Sequence, residues 1–172
     1  MNKLIEIQNM GFRVSWKLIE IGLCGYSYIA QQLSKDDVYE YCNERLLQED
    51  EETDNCIKLI CQVDNDGFTK TLHDLARNEN SNVQLQLRKW RAFLLAETLE
   101  SVGEDYFQGL LELTEFWASV DFPSDSPHLY QTESTQEYYT QAMYDTLAEK
   151  NQLWVKDEIE LIISQEKTVI QT

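Results

Sequence analysis

His73 and His128 are the chain's two imidazoles, and neither has an obvious partner nearby in sequence. A general base needs an acid or nucleophile oriented within hydrogen-bond reach. His73 precedes Asp74 directly on an expected helix, where adjacent side chains do not face each other. His128 follows Pro127 with no acid or nucleophile beside it. The four cysteines are Cys24, Cys42, Cys56 and Cys61. Cys56 and Cys61 are separated by four residues, and the nearest histidine is His73, which is not a zinc spacing. In a reducing compartment these residues are expected to be buried thiols. Asp64-x-Asp66-Gly67 imitates part of a calcium loop. With Gly67 at the sixth position of that loop, the first falls on Gln62 and the twelfth on His73, so the obligatory end ligands are wrong. An Asx turn is expected instead. Glu112 and Glu115, three apart and preceded by Glu104 and Asp105, suggest a metal-carboxylate bundle. Such bundles use Glu-x-x-His pairs, and neither histidine supplies one. A solvated helix face is expected there. With no Gly-x-Ser-x-Gly, P-loop or His-Glu-x-x-His motif, the chain is expected to be no enzyme and to need no cofactor or metal.

The charge pattern is more informative. Residues 92–149 contain no lysine or arginine and carry twelve carboxylates. The whole chain has a net charge of −17 and a pI near 4.3. Direct nucleic-acid binding is disfavoured, because phosphates are neutralised by Lys and Arg, and an anionic membrane surface is disfavoured for the same reason. A one-signed field steers a basic protein partner and speeds its association. The candidate partner-binding residues are Glu104, Asp105, Glu112, Glu115, Asp121, Asp125, Glu133 and Glu137, with Tyr138 as an aromatic anchor. Arg88-Lys89-Trp90-Arg91 is the one basic cluster. Arg88 and Arg91 are expected to meet acids on a neighbouring helix rather than phosphate. Residues 1–8 lack the apolar core of a secretory signal, and no apolar run reaches the ~18 residues of a membrane span. A cytoplasmic protein, monomeric before it meets its partner, is expected.

The elements that must carry these residues are helical. Apolar residues recur at spacings of three and four, and the two prolines, Pro123 and Pro127, lie in one short segment. The length predicts one domain over residues 1–172, an all-α bundle of about seven or eight helices. With 42% hydrophobic residues it can fill a core. The first helix is expected after Ser15, ending near Gly22, followed by a short helix over residues 28–33. A helix start at Ser34-Lys35-Asp36-Asp37 leads to Val38, Tyr41, Cys42 and Arg45. Glu49-Asp50-Glu51-Glu52 is expected to be a loop. Thr53 caps a helix burying Cys56, Ile57, Ile60, Cys61 and Val63. Residues 64–67 form a turn before a helix over 68–77. Ser81 caps a long helix through Trp90, and a break near Gly103 starts another through Trp117. Residues 121–127 are irregular because proline disfavours helix at its own position and the one before. A last helix spans about residues 134–165, with Tyr139, Met143, Leu147, Trp154, Leu161 and Ile162 inward and a bend near Asn151.

Lys89-Trp90…Leu94-Leu95, followed by Leu110-Leu111-x-Leu113-x-Glu115-Phe116-Trp117-x-x-Val120-Asp121-Phe122-Pro123, resembles a family of small all-helical bacterial proteins of uncharacterised function. An early Trp at Trp16 and an Asp-Val helix start at Asp37-Val38 also fit that pattern, over residues 15–165. The acidic profile is similar to immunity proteins of polymorphic-toxin and contact-dependent growth inhibition systems. That resemblance implies neutralisation of a cognate, basic toxin domain, with a nuclease the expected kind. The alternatives are a nucleic-acid mimic that inhibits DNA-binding proteins and a helical metal-carboxylate enzyme.

Overall fold

The computed structural model describes residues 2–48, 53–62, 65–103, 105–128 and 139–170. They form eight helices: α1 (Lys3–Asn9), α2 (Trp16–Cys24), α3 (Lys35–Gln48), α4 (Thr53–Ile60), α5 (Asn65–Asn78), α6 (Val83–Ser101), α7 (Tyr106–Ser119) and α8 (Gln141–Ile170). The all-α architecture follows the spacing pattern. The chain divides into two compact units, Met1–Trp90 and Arg91–Thr172.

In the first unit, α3 packs on α4 and α1, and α5 packs on α2 and α4. Helix α1 is an addition to the sequence expectation. The Asn2 side chain accepts the Leu4 N–H and caps it, and Leu4 and Ile7, three apart, are buried. Asn2 also donates to the Asp37 carbonyl at 2.7 Å, which ties α1 to α3. Ser15 caps α2 as expected, accepting from Leu18 N at 3.0 Å. Gly22, however, is not the stop. It lies inside α2, and a β-carbon there would collide with the Trp90 ring and come within 2.8 Å of Leu33. The helix ends one turn later at Gly25, whose φ of +74° suits glycine.

Residues 28–33 are not helical. Tyr26 and Ile29 exchange backbone hydrogen bonds, and Gln32 and Leu33 both donate to the Gly22 carbonyl. The Gly22 carbonyl, in the last turn of α2, thus holds this segment in a non-helical path. The Ser34–Asp37 capping box starts α3. The Asp37 carboxylate accepts from the Ser34 N–H and hydroxyl, each at 2.6 Å, while Ser34 Oγ accepts the Asp37 N–H. These bonds hold the Asp37 carboxyl below its usual range.

Helix α4 includes Thr53 and buries Cys56 and Leu59, leaving Ile57 and Cys61 exposed. The expected face is therefore rotated, because Cys56 and Leu59 set the stripe at spacing three. Residues 65–67 are not a turn but the first turn of α5, which buries Phe68, Leu72 and Ala76 at four-residue intervals. Asn82, not Ser81, caps α6 through a bond from Leu85 N at 3.1 Å. Residues 49–52 and 63–64, which carry the expected acidic loop and Val63, lie outside the described residues.

Helix α6 runs through the division at Trp90. Its buried positions include Gln86, Leu87, Lys89, Trp90, Ala92, Phe93 and Leu95. Lys89 is almost wholly buried, with Nζ donating to the Arg13 carbonyl at 2.7 Å and to Gln86 at 3.0 Å. Both acceptors compensate the ammonium for lost water. Trp90 Nε1 donates to the Leu18 carbonyl at 2.9 Å.

In the second unit α7 packs on α8. Leu110 and Leu147 form the contact, with Tyr139, Met143 and Tyr144 against them. The Trp117 indole donates to Asn151 at 2.6 Å and meets Trp154 edge-on. The inward stripe of α8 is Leu147, Asn151, Val155, Glu158 and Ile162, and Leu161 faces outward. The irregular 121–127 connection is present as expected. Residues 134–138 lie outside the described residues.

Candidate functional site

Five of the nine candidate partner-binding residues are described, and they do different things. Asp105 caps α7, accepting from Phe107 N and Gln108 N at 2.9 and 3.0 Å. Glu112 is half-buried and accepts from Gln108 at 2.9 Å. Glu115 is exposed on the face of α7 away from the buried Leu110, Leu113 and Trp117. Asp121 is exposed just past the α7 C-cap, with φ +62°. Its neighbour Phe122 has φ +39° and donates its N–H to the Trp117 carbonyl. That left-handed pair carries the chain off the end of the helix with Asp121 at the corner.

Asp125 has an internal task. Arg91 reaches it with two bonds of 3.2 and 2.6 Å, lies 3.6 Å from the buried Glu158 carboxylate and stacks on Trp154. A buried guanidinium is well served by that planar, two-pronged partner. The expected pairing of Arg91 with acids is therefore found, on the Pro loop and on α8. Glu104, Glu133, Glu137 and Tyr138 lie outside the described residues.

The acidic field has a local signature at Tyr144. Its phenol is pushed up by partial burial and then by the carboxylates of Asp145 and Glu112. Acid is not confined to this unit, however. A shallow hollow of about 490 Å³ along α3 is bordered by Asp36, Asp37, Glu40 and Glu44.

The two histidines differ from their expected isolation. His73 Nδ1 lies 2.5 Å from Glu20 Oε1, joining α5 to α2, and Lys17 pairs with the same carboxylate. The partners are 53 residues apart, so no local motif could announce them. His128 is buried, and its Nε2 lies 2.9 Å from Thr114 Oγ1. Thr114 gives its hydroxyl proton to the Leu110 carbonyl at 2.7 Å, so its oxygen accepts from the ring. Burial pushes the His128 pKa down to about 4.

Cysteine burial is half as expected. Cys42 and Cys56 are buried, while Cys24 and Cys61 are exposed because they sit at or beyond the ends of α2 and α4. Cys42 and Cys56 are free thiols, and the hydrogen bond between them, together with burial, pushes the Cys42 thiol up. Cys24 is likewise raised, by burial and by Glu20. Among the described residues, no three His, Cys, Asp or Glu side chains are grouped to hold a metal ion. No described helix is long and apolar enough to cross a membrane.

Fold and site together define an all-α protein whose second unit exposes carboxylates on α7 (Glu115), at the corner after it (Asp121) and along α8 (Asp145, Glu149, Asp157 and Glu160). A family model described as an uncharacterized protein conserved in bacteria (DUF2247) matches residues 5–159, and the chain belongs to that family. No curated protein and no solved structure matches the chain.

Proposed function

We propose that this chain is a bacterial immunity protein that binds a cognate basic toxin domain and excludes its anionic substrate. The observation that carries the reading is the run of residues 92–149, free of Lys and Arg, with Glu115 and Asp121 exposed on it. Nuclease surfaces are positive because their substrate is a polyanion, and an acidic helix end competes for the same surface. Asp105 and Asp125 hold the fold, so Glu115 and Asp121, with Glu112 behind them, form the working set. Their role is steering and ion pairing, with no bond-making chemistry.

Co-expression with the basic toxin domain encoded beside it tests the reading. Growth is expected to be restored. The double reversal Glu115→Lys with Asp121→Lys is expected to slow association by about tenfold or more at low salt. Asp36→Lys with Glu44→Lys changes net charge equally on the other unit and is expected to have the smaller effect. Failure to restore growth overturns the immunity role. Equal effects of the two double variants, both folded by circular dichroism, overturn the assigned surface. Inhibition of unrelated DNA-binding proteins would indicate nucleic-acid mimicry instead.

A further inference from the structure

A second feature, in the first unit, is independent of the acidic surface. A cavity of about 270 Å³ opens between α2, the turn at Tyr26, α5 and the start of α6. One wall is polar: Lys17, Glu20 and His73. The other is largely apolar: Ile21, Tyr26 and Val83, with the Cys24 thiol at the edge. Lys17, Glu20 and Cys24 recur at spacings of three and four along α2, so they share one face. Glu20 accepts a hydrogen bond from the Lys17 ammonium on Oε2 and meets His73 Nδ1 with Oε1. Two Lys17 N–H donors and His73 Nε2 are left over. The carboxylate thus contacts both the cation and the imidazole, with the Lys17 and Glu20 side chains mostly shielded from water and the His73 ring largely exposed.

We propose that this cavity binds a small organic carboxylate. The ligand's anionic end accepts from the Lys17 ammonium beside His73, and its short apolar body lies against Ile21, Tyr26 and Val83. The match rests on donors at one wall and hydrocarbon at the other, the usual composition of a small-molecule site. The volume of about 270 Å³ lies just below the usual range of such sites and admits a ligand of up to roughly ten non-hydrogen atoms. Glu20 is a preorganising residue: it neutralises Lys17 in the empty cavity and fixes where its remaining protons point.

Cys24 supplies a reporter at the cavity edge, and Cys61 supplies an exposed reference elsewhere in the same unit. Iodoacetate is a small carboxylate, and iodoacetamide is its near-isosteric neutral counterpart. With either reagent the deprotonated Cys24 sulfur displaces iodide from the CH₂ carbon, forming the C–S bond as C–I breaks, and the thiol proton goes to buffer. Alkylation of the full reduced chain in mildly alkaline buffer is followed site by site by mass spectrometry. The iodoacetate-to-iodoacetamide rate ratio at Cys24 is expected to exceed that at Cys61 by roughly tenfold, the worth of one charge-assisted hydrogen bond.

The rate at Cys24 with iodoacetate is expected to saturate, to fall with added propionate and to lose its preference in Lys17→Met. In the urea-unfolded chain the two cysteines should give equal ratios. Equal ratios in the folded chain overturn the site. So does a preference at Cys24 that survives both propionate and Lys17→Met. These outcomes do not depend on whether the chain neutralises a toxin.

Discussion

His128 adds an imidazole contribution to the loss of stability in acid. Its pKa is about 4 in the folded chain against an ordinary 6.5. The unfolded chain therefore takes up the proton first. The contribution is complete above about pH 6.5 and is lost as pH falls toward 4, a difference of roughly 2–3 kcal/mol. Urea unfolding across that window is expected to show the loss, and His128→Gln to flatten it. A ring that titrates near pH 6.5 by NMR in the folded protein would contradict this account. At this scale the sequence was legible where one charge type is scarce. Arg91 stands at the edge of a long acidic stretch, and its pairing with acids followed from that. The Glu20–His73 pair was illegible because it depends on two helices meeting far apart in the chain. The exposure of Cys24 and Cys61 was misjudged because cysteine's usual burial says nothing about a position at a helix end.

Helices were legible wherever apolar spacing and a cap agreed. Ser15 and the Ser34–Asp37 box mark true starts, and the prolines mark a true interruption. The errors over which segments are helical lie in short stretches. Helix α1 has seven residues, fewer than two turns of pattern, and rests on the Asn2 cap and its tie to α3. Residues 28–33 have helix-compatible side chains, yet the Gly22 carbonyl draws them back by hydrogen bonds. Gly22 itself was misread as a stop because close approach and helix termination both select glycine. The two roles separate experimentally. Gly→Ala inside a helix ordinarily gains up to about 1 kcal/mol. At Gly22 the added methyl meets Trp90 and Leu33, so Gly22→Ala is expected to destabilise by about 1–3 kcal/mol through overpacking. Gly103→Ala, where nothing lies within 4 Å, is expected to be near neutral. Thermal melts of the two variants decide it, and an unchanged midpoint for Gly22→Ala would refute the close packing.

Across the molecule the dominant quantity is charge. At −17 over 172 residues, self-repulsion works against compactness. Raising NaCl from ~0.05 to ~0.5 M shortens the screening length several-fold and is expected to raise the melting midpoint by a few degrees. A midpoint that falls with salt would mean that attractive ion pairs, not repulsion, dominate. The all-α class and this charge segregation were legible because both are properties of long stretches. The local division of labour among the acids, with Asp105 and Asp125 serving the fold and Glu115 and Asp121 facing water, required coordinates.

The tryptophans add an optical consequence. Trp16 and Trp90 belong to the first unit and Trp117 and Trp154 to the second, and Trp90 and Trp117 are sealed from solvent. The first unit thus holds two buried indoles, Trp16 and Trp90, and the second holds one sealed indole and the half-buried Trp154. Replacing either pair with phenylalanine leaves tryptophan emission, excited to the red of tyrosine absorption, that reports on one unit alone, so the chain carries its own spectroscopic label for each half.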